Sequence, residues 1–357
     1  MDQRLKLIKE LTELHGVSGF EEEVKYYIKE RLQDLSEISY DNLGSIICKK
    51  QGTDAGPKIM LPGHMDEIGF LVNSITKEGF LKFIPLGGWW DQVLLAHQVI
   101  VKTSLGDIPG IIGSTPPHLL DAKEREKVVE KKTMFIDVGA ESKEEAMEKF
   151  GIKPGDVIVP SGNFSLMKNP DYIMSKALDD RLGVALFIEV IEELGKTEHP
   201  NTVYGVGTVQ EEVGLRGAQT STELIKPDLS FVLDVGIAGD TPGLEGLHID
   251  VKLGKGPILL LADASMIPNR SLRDFVIDTA NSRNIPLQFA TMMGGGTDGG
   301  AIHKHGAGVP TVSFGIPTRY IHSHTSTFHR EDYENLFRLL VEMIKKLDAG
   351  TVDLIKK

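Results

Sequence analysis

The sequence predicts an α/β fold in which a mixed sheet, with helices on both faces, is interrupted by a small β-rich domain. Helical and strand-like segments alternate near both ends of the chain, as in sheets covered by helices. Between them, short apolar runs are separated by turn residues, which is typical of hairpins. We therefore expect one domain from residues 1–67 and 163–357 and an inserted β-rich domain at 68–162.

The segment before the insert predicts two helices and two strands. Apolar residues within 5–14 recur at helical spacing, and Gly16 can end that helix. Residues 18–21, Ser-Gly-Phe-Glu, have the spacing of a capping box and predict that a second helix begins there. Strands are expected at 45–48 and 58–61, and the second is apolar on both faces, as a central strand should be.

The insert and the segment after it are predicted element by element. In the insert we expect strands at 99–101, 108–112 and 157–159 and one short helix within 143–150. After the insert, strands and helices alternate again. We expect helices at 182–194, 272–283 and, as the final one, 332–347, and strands at 203–209, 231–235 and 310–314.

Composition excludes several classes of function. The net charge is −12, and a nucleic-acid or anionic-membrane partner would require a basic surface. A single cysteine, Cys48, cannot form an internal disulfide. The first residues lack the apolar region of a signal peptide, and no apolar stretch is long enough to span a bilayer. We therefore expect a cytoplasmic protein.

Five short polar segments follow predicted strands or begin predicted helices, in positions where isolated charge is costly unless it is paired or metal-bound. In open α/β sheets such strand ends meet in space. Each segment alone has an ordinary explanation as a capping or solvated group, but the set is harder to explain in that way. The segments are His64-Met65-Asp66-Glu67, Leu178-Asp179-Asp180-Arg181, Gln210-Glu211-Glu212, Leu233-Asp234-Val235 and Tyr320-Ile321-His322-Ser323.

The spacing within two of these segments indicates metal chemistry. His64 and Asp66 point to the same side of an extended chain, so Asp66 can accept the second ring N–H of a metal-bound His64. Glu211 and Glu212 point to opposite sides, so one can bind a metal while the other faces the water that the metal activates.

Taken together, the motifs resemble the co-catalytic aminopeptidases of the M42 type, which include the glutamyl and deblocking aminopeptidases. The similarity covers nearly the whole chain, and the order and spacing of the motifs make it specific. The matching motifs are Pro62-Gly63-His64-Met65-Asp66-Glu67, Lys176-Ala177-Leu178-Asp179-Asp180-Arg181, Val209-Gln210-Glu211-Glu212-Val213-Gly214, Asp234-Val235-Gly236, Gly294-Gly295-Gly296-Thr297-Asp298 and Arg319-Tyr320-Ile321-His322-Ser323.

The resemblance implies an enzyme that removes amino-terminal residues from peptides with two divalent metal ions per chain. It implies that Asp179 bridges the metals, that Glu211 is the general base and that Asp66 orients His64. The remaining metal ligands that it implies are His64, Glu212, Asp234 and His322. It also implies that the insert is a dimerisation domain and that dimers build a larger particle, often a tetrahedral dodecamer.

Nitrogen and oxygen ligands suit zinc, cobalt or manganese, and zinc is the first expectation.

The sequence departs from the family pattern in the last motif, which reads His322-Ser323-His324-Thr325 where many members have His-Ser-Pro-Val. Trp89 and Trp90 are expected in a core or a subunit contact rather than as a substrate platform. Two alternatives remain: a metal-independent glycoside hydrolase resembling an endoglucanase, and a catalytically silent assembly protein.

Overall fold

The computed structural model of the protein describes residues 1–53, 56–244 and 249–357. The predicted fold class is confirmed, because the chain forms a large mixed sheet covered by helices and a separate closed barrel. The helices are α1 (Gln3–Glu13), α2 (Glu22–Leu32), α3 (Ala122–Arg125), α4 (Lys143–Glu148), α5 (Leu178–Leu194), α6 (Arg216–Ile225), α7 (Arg270–Ser282), α8 (Gly299–Ile302), α9 (Arg330–Lys346) and α10 (Ala349–Lys356). The strands up to the end of the barrel are β1 (Glu37–Tyr40), β2 (Ile46–Gln51), β3 (Lys58–His64), β4 (Gly69–Ile75), β5 (Leu81–Leu86), β6 (Gln98–Thr103), β7 (Gly106–Gly113), β8 (Phe135–Asp137) and β9 (Val157–Pro160). The later strands are β10 (Ser165–Leu166), β11 (Tyr172–Ser175), β12 (Thr202–Thr208), β13 (Leu229–Ile237), β14 (Ile258–Asp263), β15 (Gln288–Met292), β16 (Thr311–Arg319) and β17 (Ser326–His329).

The large sheet has a parallel centre and antiparallel flanks. Its order is β1-β2-β12-β3-β13-β16-β17-β11-β10, and β14 and β15 extend it beside β16. Strands β12, β3, β13 and β16 run in the same direction, and the register pairs Thr208 with His64 and Asp234 with Gly315. The carboxyl ends of these four strands therefore meet at one edge, where ligand sites form in such sheets.

Helices cover both faces of the sheet. On one face α5 packs along β3, β12 and β13, and its apolar side chains belong to the main core together with residues of α1, α2, α7 and α9. On the other face, residues of α6 and α8 form a second apolar cluster. The alternation along β13 shows this directly, because Phe231 and Leu233 join the first core while Val232 joins the second.

A six-stranded closed barrel, with strand order β4-β5-β8-β7-β6-β9, lies between β3 and β10 in the chain. Its strands begin at Gly69 and end at Pro160, inside the predicted range of 68–162. Phe70 stacks on Trp89 with ring centroids 4.8 Å apart, and the Trp89 indole N–H donates to the Gly69 carbonyl at 3.1 Å. Because Trp89 is buried inside the barrel, it packs the barrel core rather than a subunit surface.

Two predictions for local structure were wrong. Ser18 does not cap α2, whose N-cap is Glu21 without a capping side chain. The Ser18 hydroxyl instead donates to the Asp66 carboxylate at 2.6 Å, because this loop packs against the end of β3. The second wrong prediction is that the helix at 332–347, now α9, is the last one. Asp348 caps a further helix, α10, because its carboxylate accepts the backbone N–H of Thr351.

In the described part of the chain, no helix combines the length and the apolar character that crossing a membrane would require.

Candidate active site

A cavity of about 1300 Å³ opens at the carboxyl edge of the parallel strands. His64 ends β3, Asp234 lies within β13, the Glu211–Glu212 pair follows β12, and His322 follows β16. Asp179 is at the start of α5, whose N-terminus faces the same edge. Six of the seven residues that the sequence singled out therefore line this cavity: His64, Asp179, Glu211, Glu212, Asp234 and His322.

Asp66, the seventh residue, is fully buried behind the cavity and positions the loop after β12. Its carboxylate accepts the backbone N–H of Glu211 at 3.0 Å and that of Glu212 at 3.2 Å. Ser18 donates a further hydrogen bond to it. These donors, together with His64, hold the pKa of Asp66 below its ordinary value although burial alone would raise it. Asp66 therefore fixes the backbone that carries both glutamates.

The side chain of His64 is oriented by a backbone oxygen. Its Nδ1 lies 2.9 Å from the carbonyl oxygen of Asp66, and 3.6 Å from the carboxylate that the sequence proposed as its partner. Since a carbonyl can only accept, Nδ1 carries a proton and donates. The other nitrogen, Nε2, faces the cavity and lies 3.1 Å from Asp179 Oδ1. The tautomer is thus the one that a metal-binding Nε2 requires.

His322 brings the barrel into contact with the site. Its Nδ1 donates to the carbonyl of Gly88, a barrel residue, at 2.7 Å. Its Nε2 lies 3.5 Å from both Asp179 Oδ2 and Glu212 Oε2. The arrangement resembles that of His64, in which one ring nitrogen donates to a backbone carbonyl and the other faces carboxylates.

Asp180 lies in one of the polar segments noted in the sequence, but the sequence analysis gave it no role. One of its carboxylate oxygens accepts the backbone N–H of His64 and the other accepts that of Gly183, both at 3.0 Å. Its carboxylate is also close enough to His64 and Asp234 to form one group of possible metal ligands. Only its adjacency to Asp179 signalled its position, and an Asp-Asp pair before a helix is ordinarily a cap.

Two groups of possible ligands converge in the described residues, and they share His64. One contains His64, Asp180 and Asp234, and the other contains His64, Asp179 and Glu212, with donor atoms in each group within 4.8 Å of one another. The second group has His322 within 3.5 Å of two of its carboxylates. The described residues therefore offer two overlapping sets of possible ligands for divalent cations, which meet at His64.

The cluster concentrates several carboxylates in a small buried volume, and this shifts the pKa values of its members. Burial, together with Asp179, raises the pKa of Glu212 to about 8 and that of Asp234 well above its ordinary value. Burial also raises the pKa of Glu211. The pKa values of His64 and His322 are also raised, but by the neighbouring carboxylates and against the effect of burial. Burial alone would lower the pKa of His322, but Asp179 and Glu212 raise it to about 10. Positive charge is therefore strongly favoured here.

A buried cluster of ion pairs and hydrogen bonds packs next to the site. Lys176 Nζ contacts Glu67 Oε1 at 2.5 Å and donates to the carbonyl of Leu14. The guanidinium of Arg181 donates to the carbonyls of Met65, Leu11 and Gly16. These contacts tie the segment after β3 to the start of α5 and to the N-terminal loop. Lys176 and Arg181 lie in motifs noted in the sequence, but their structural role could not be inferred from spacing.

Several residues outside the proposed metal site are placed as follows. His324 is buried, stacks on the His97 ring at 3.9 Å and does not face the cavity. His329 caps α9 through the Glu331 N–H. Residues 294–296 line the cavity, as does Trp90, which is 62% exposed. Trp90 therefore presents an exposed ring to the cavity, whereas Trp89, which also lines it, is largely buried in the barrel.

A family model described as M42 glutamyl aminopeptidase matches residues 44–339. The chain belongs to the M42 peptidase family. A second model, AMPT, matches residues 2–25. The glutamyl aminopeptidase of Lactococcus lactis is 38% identical to this M42 chain over 353 residues, 98% of each protein. The lysyl aminopeptidase of Pyrococcus furiosus is 35% identical, and the alignment covers 96% of this chain and 98% of that protein.

Solved structures agree with this M42 assignment. A TET aminopeptidase from a marine sediment archaeon of the Thaumarchaeota is 50% identical, with a TM-score of 0.96 and 99% of each chain covered. The TET1 peptidase of Pyrococcus horikoshii, which can assemble into a tetrahedron or a large octahedral shell, is 36% identical with a TM-score of 0.87; 97% of this chain and 100% of that chain are covered. The M42 chain is thus an aminopeptidase, a peptide hydrolase.

A Thermotoga maritima structure named endoglucanase also aligns, with 30% identity and a TM-score of 0.79 over 98% of this chain and 99% of that one. The curated relatives above are nevertheless aminopeptidases, so the glycoside hydrolase alternative is not favoured.

Proposed function

We propose that this aminopeptidase uses two divalent metal ions and Glu211 to hydrolyse the first peptide bond of short peptides. The observation that carries the proposal is the pair of ligand groups that share His64 at the carboxyl edge of the sheet. Carboxylates this close repel one another unless cations separate them. Two imidazoles are too few to balance Asp179, Asp180, Glu211, Glu212 and Asp234, so the donor set fits divalent cations.

The residues that would hold the ions are those implied by the family resemblance: His64, Asp179, Glu212, Asp234 and His322. Asp179 is the proposed bridge, because it lies beside His64 on one side and His322 on the other. When bound, divalent ions supply Lewis acidity and lower the pKa of water. Zinc is the first candidate for these nitrogen and oxygen ligands, followed by cobalt and manganese.

Glu211 is the proposed general base. It lines the cavity, and its backbone is held by Asp66, so its carboxylate is presented to the substrate by a fixed loop. A raised pKa suits a group that takes a proton from attacking water and returns it to the leaving amine. Asp66 acts through the loop and through the backbone oxygen that orients His64, and is therefore a positioning residue.

The acidic end of the cavity also supports the proposal that the substrate needs a free amino terminus. The carboxylates of Glu211, Glu212 and Asp234 favour positive charge, and the amino group of a peptide carries it. An acetylated peptide lacks that charge. We expect it to be cleaved at most at a small fraction of the rate of the free peptide.

The test is a panel of aminoacyl-p-nitroanilides, assayed with chelated enzyme and after addition of zinc, cobalt or manganese separately. Hydrolysis that is lost with EDTA and restored by one of the metals is expected. Cleavage of β-glucan that survives EDTA would instead support the glycoside hydrolase. Absence of turnover with every metal would support a catalytically silent assembly protein.

We also propose that the chain self-associates through the barrel domain. The TET1 relative assembles into closed shells, and the barrel contributes apolar contacts but no charged group to the cavity among the residues described. Light scattering should then give a mass many times that of the 39.2 kDa chain. A protein that stays monomeric at micromolar concentration would contradict this proposal and leave the chemistry unaffected. A cytoplasmic location remains a prediction.

A further inference from the structure

The cavity has a charged end and an apolar wall. Among the described residues that line it, the charged side chains are those of the proposed metal site, which were named above. The wall away from them consists of aliphatic side chains and glycines, with hydroxyl groups in between. Its apolar members include Ile237, Ile249, Ile258, Leu260, Ala290 and Met292.

The apolar wall is a built part of the fold rather than a chance grouping. Ile258 and Leu260 of β14 form a hydrophobic cluster against which Ala290 and Met292 of β15 pack. The cluster reaches the metal site because Gly236, two residues after Asp234, has no side chain. A Cβ at Gly236 would lie only 2.4 Å from the Ile258 Cδ1 atom. Ile258 therefore occupies space directly beside the strand that carries Asp234.

Two polar groups close to this wall are already paired. The Ser265 hydroxyl, which lines the cavity, donates to the buried carboxylate of Asp263 at 2.7 Å. Arg319, which precedes the cavity residue Tyr320, donates two hydrogen bonds of 2.7 Å to Asp240. Arg319 is therefore engaged with Asp240, and no cationic side chain outside the proposed metal site is among the described residues that line the cavity.

We propose that this wall binds the side chain of the substrate's first residue and selects uncharged aliphatic residues, leucine and methionine above all. The inference rests on the proposed aminopeptidase site, because the first residue is held next to the bond that is cleaved. Family membership leaves the preference open, since the names of two relatives specify glutamyl and lysyl substrates. A glutamate or lysine side chain would lose its water here without gaining a partner, whereas leucine gains apolar contact.

The first experiment measures kcat/KM of the metal-loaded enzyme on leucyl, methionyl, glutamyl and lysyl p-nitroanilides. We expect kcat/KM for the leucyl and methionyl substrates to exceed that for the glutamyl and lysyl substrates by about 100-fold or more. An enzyme discriminates more strongly against a buried charged group without a partner than against one missing methylene. A higher value for the glutamyl or lysyl substrate would overturn this inference while leaving the aminopeptidase function intact. Absence of turnover on all four would overturn both.

The second experiment places a charge in the wall with Met292→Glu. We expect the ratio of leucyl to lysyl kcat/KM to fall by about 10-fold or more, because the new carboxylate costs apolar contact and pairs with lysine. Phe289→Glu is the matched control, since Phe289 lies on the same strand, is 46% exposed and does not line the cavity. Its ratio should stay within about twofold of the wild type. Equal ratios in both variants would show that the wall does not contact the substrate.

Discussion

The sheet domain and the barrel contribute different kinds of groups to the same cavity. The sheet domain provides every charged side chain among the described lining residues, from strand ends and from the start of α5. The barrel side provides residues 88–90 and Val93, which are apolar or contribute backbone. The charged groups therefore depend on the register of parallel strands, while the barrel shapes the opening and holds His322 through one carbonyl. Substitutions in the two regions should then fail in different ways.

The largest effect is expected for Glu211→Gln on the sheet side. Because Asp66 holds the backbone of residue 211 rather than its carboxylate, the loop should keep its position and only the general base should be lost. We expect kcat to fall by about 10²–10⁴-fold while metal content stays near that of the wild type. Elemental analysis and steady-state kinetics measure both quantities.

Glu223→Gln is the matched control, since Glu223 is 65% exposed on α6 and should leave both quantities unchanged. If Glu211→Gln lost metal together with activity, Glu211 would be a ligand and its role and that of Glu212 would be exchanged.

The second prediction separates a bridging carboxylate from a terminal one. Asp179→Asn should weaken binding of both ions, by more than the roughly 10–100-fold that follows loss of an indirect partner. Asp234→Asn should weaken binding of one ion, because Asp234 shares a ligand group with His64 but lies outside the group of Asp179 and Glu212. Full retention of one ion in Asp179→Asn would make Asp180 the candidate bridge.

The third prediction compares the two tryptophans of the barrel. Trp89→Ala removes a buried ring that stacks on Phe70, so we expect about 3–5 kcal/mol less stability. Trp90→Ala removes an exposed ring, so its free energy of unfolding should change by less than about 1 kcal/mol. Urea unfolding followed by far-UV circular dichroism measures both.

The effects of the two substitutions on catalysis should have the opposite order, with the larger change in Trp90→Ala. Because Trp90 lines the cavity, Trp90→Ala should raise KM while kcat stays within about threefold of the wild type. An unchanged KM on every substrate would show that Trp90 does not contact the substrate. It would return Trp90 to the role of a core or subunit-contact residue expected from the sequence.

Much of the site was predictable because its residues stand where apolar strands end. His64, Asp234 and the Glu211–Glu212 pair interrupt apolar runs, and parallel strands bring such positions together. Asp179 and His322 stand in two further polar segments of this kind, and the family resemblance added their roles as metal ligands. The α/β class and the barrel-like insert also followed from local periodicity and turn residues.

What the sequence could not give were contacts between distant segments. Ser18 looks like a helix cap because its neighbours fit that pattern, yet its hydroxyl donates to Asp66, 48 residues away. Asp180 looks like the cap of α5, yet it accepts the N–H of His64, 116 residues away. Trp89 and Trp90 are adjacent and identical in type, yet one is buried and the other is exposed. Such differences depend on tertiary packing that local spacing does not encode.

Two of the hydrogen bonds that Asp66 accepts come from the main-chain amides of Glu211 and Glu212, and amides are present whatever side chain a residue carries. The position of the Glu211–Glu212 loop is therefore separable from the chemistry displayed on it. Natural or laboratory variation can exchange either side chain without moving the scaffold beneath it. A change at Asp66 itself would shift both positions together. In this protein the capacity to evolve new reactivity and the vulnerability to a single substitution thus reside in neighbouring but distinct residues.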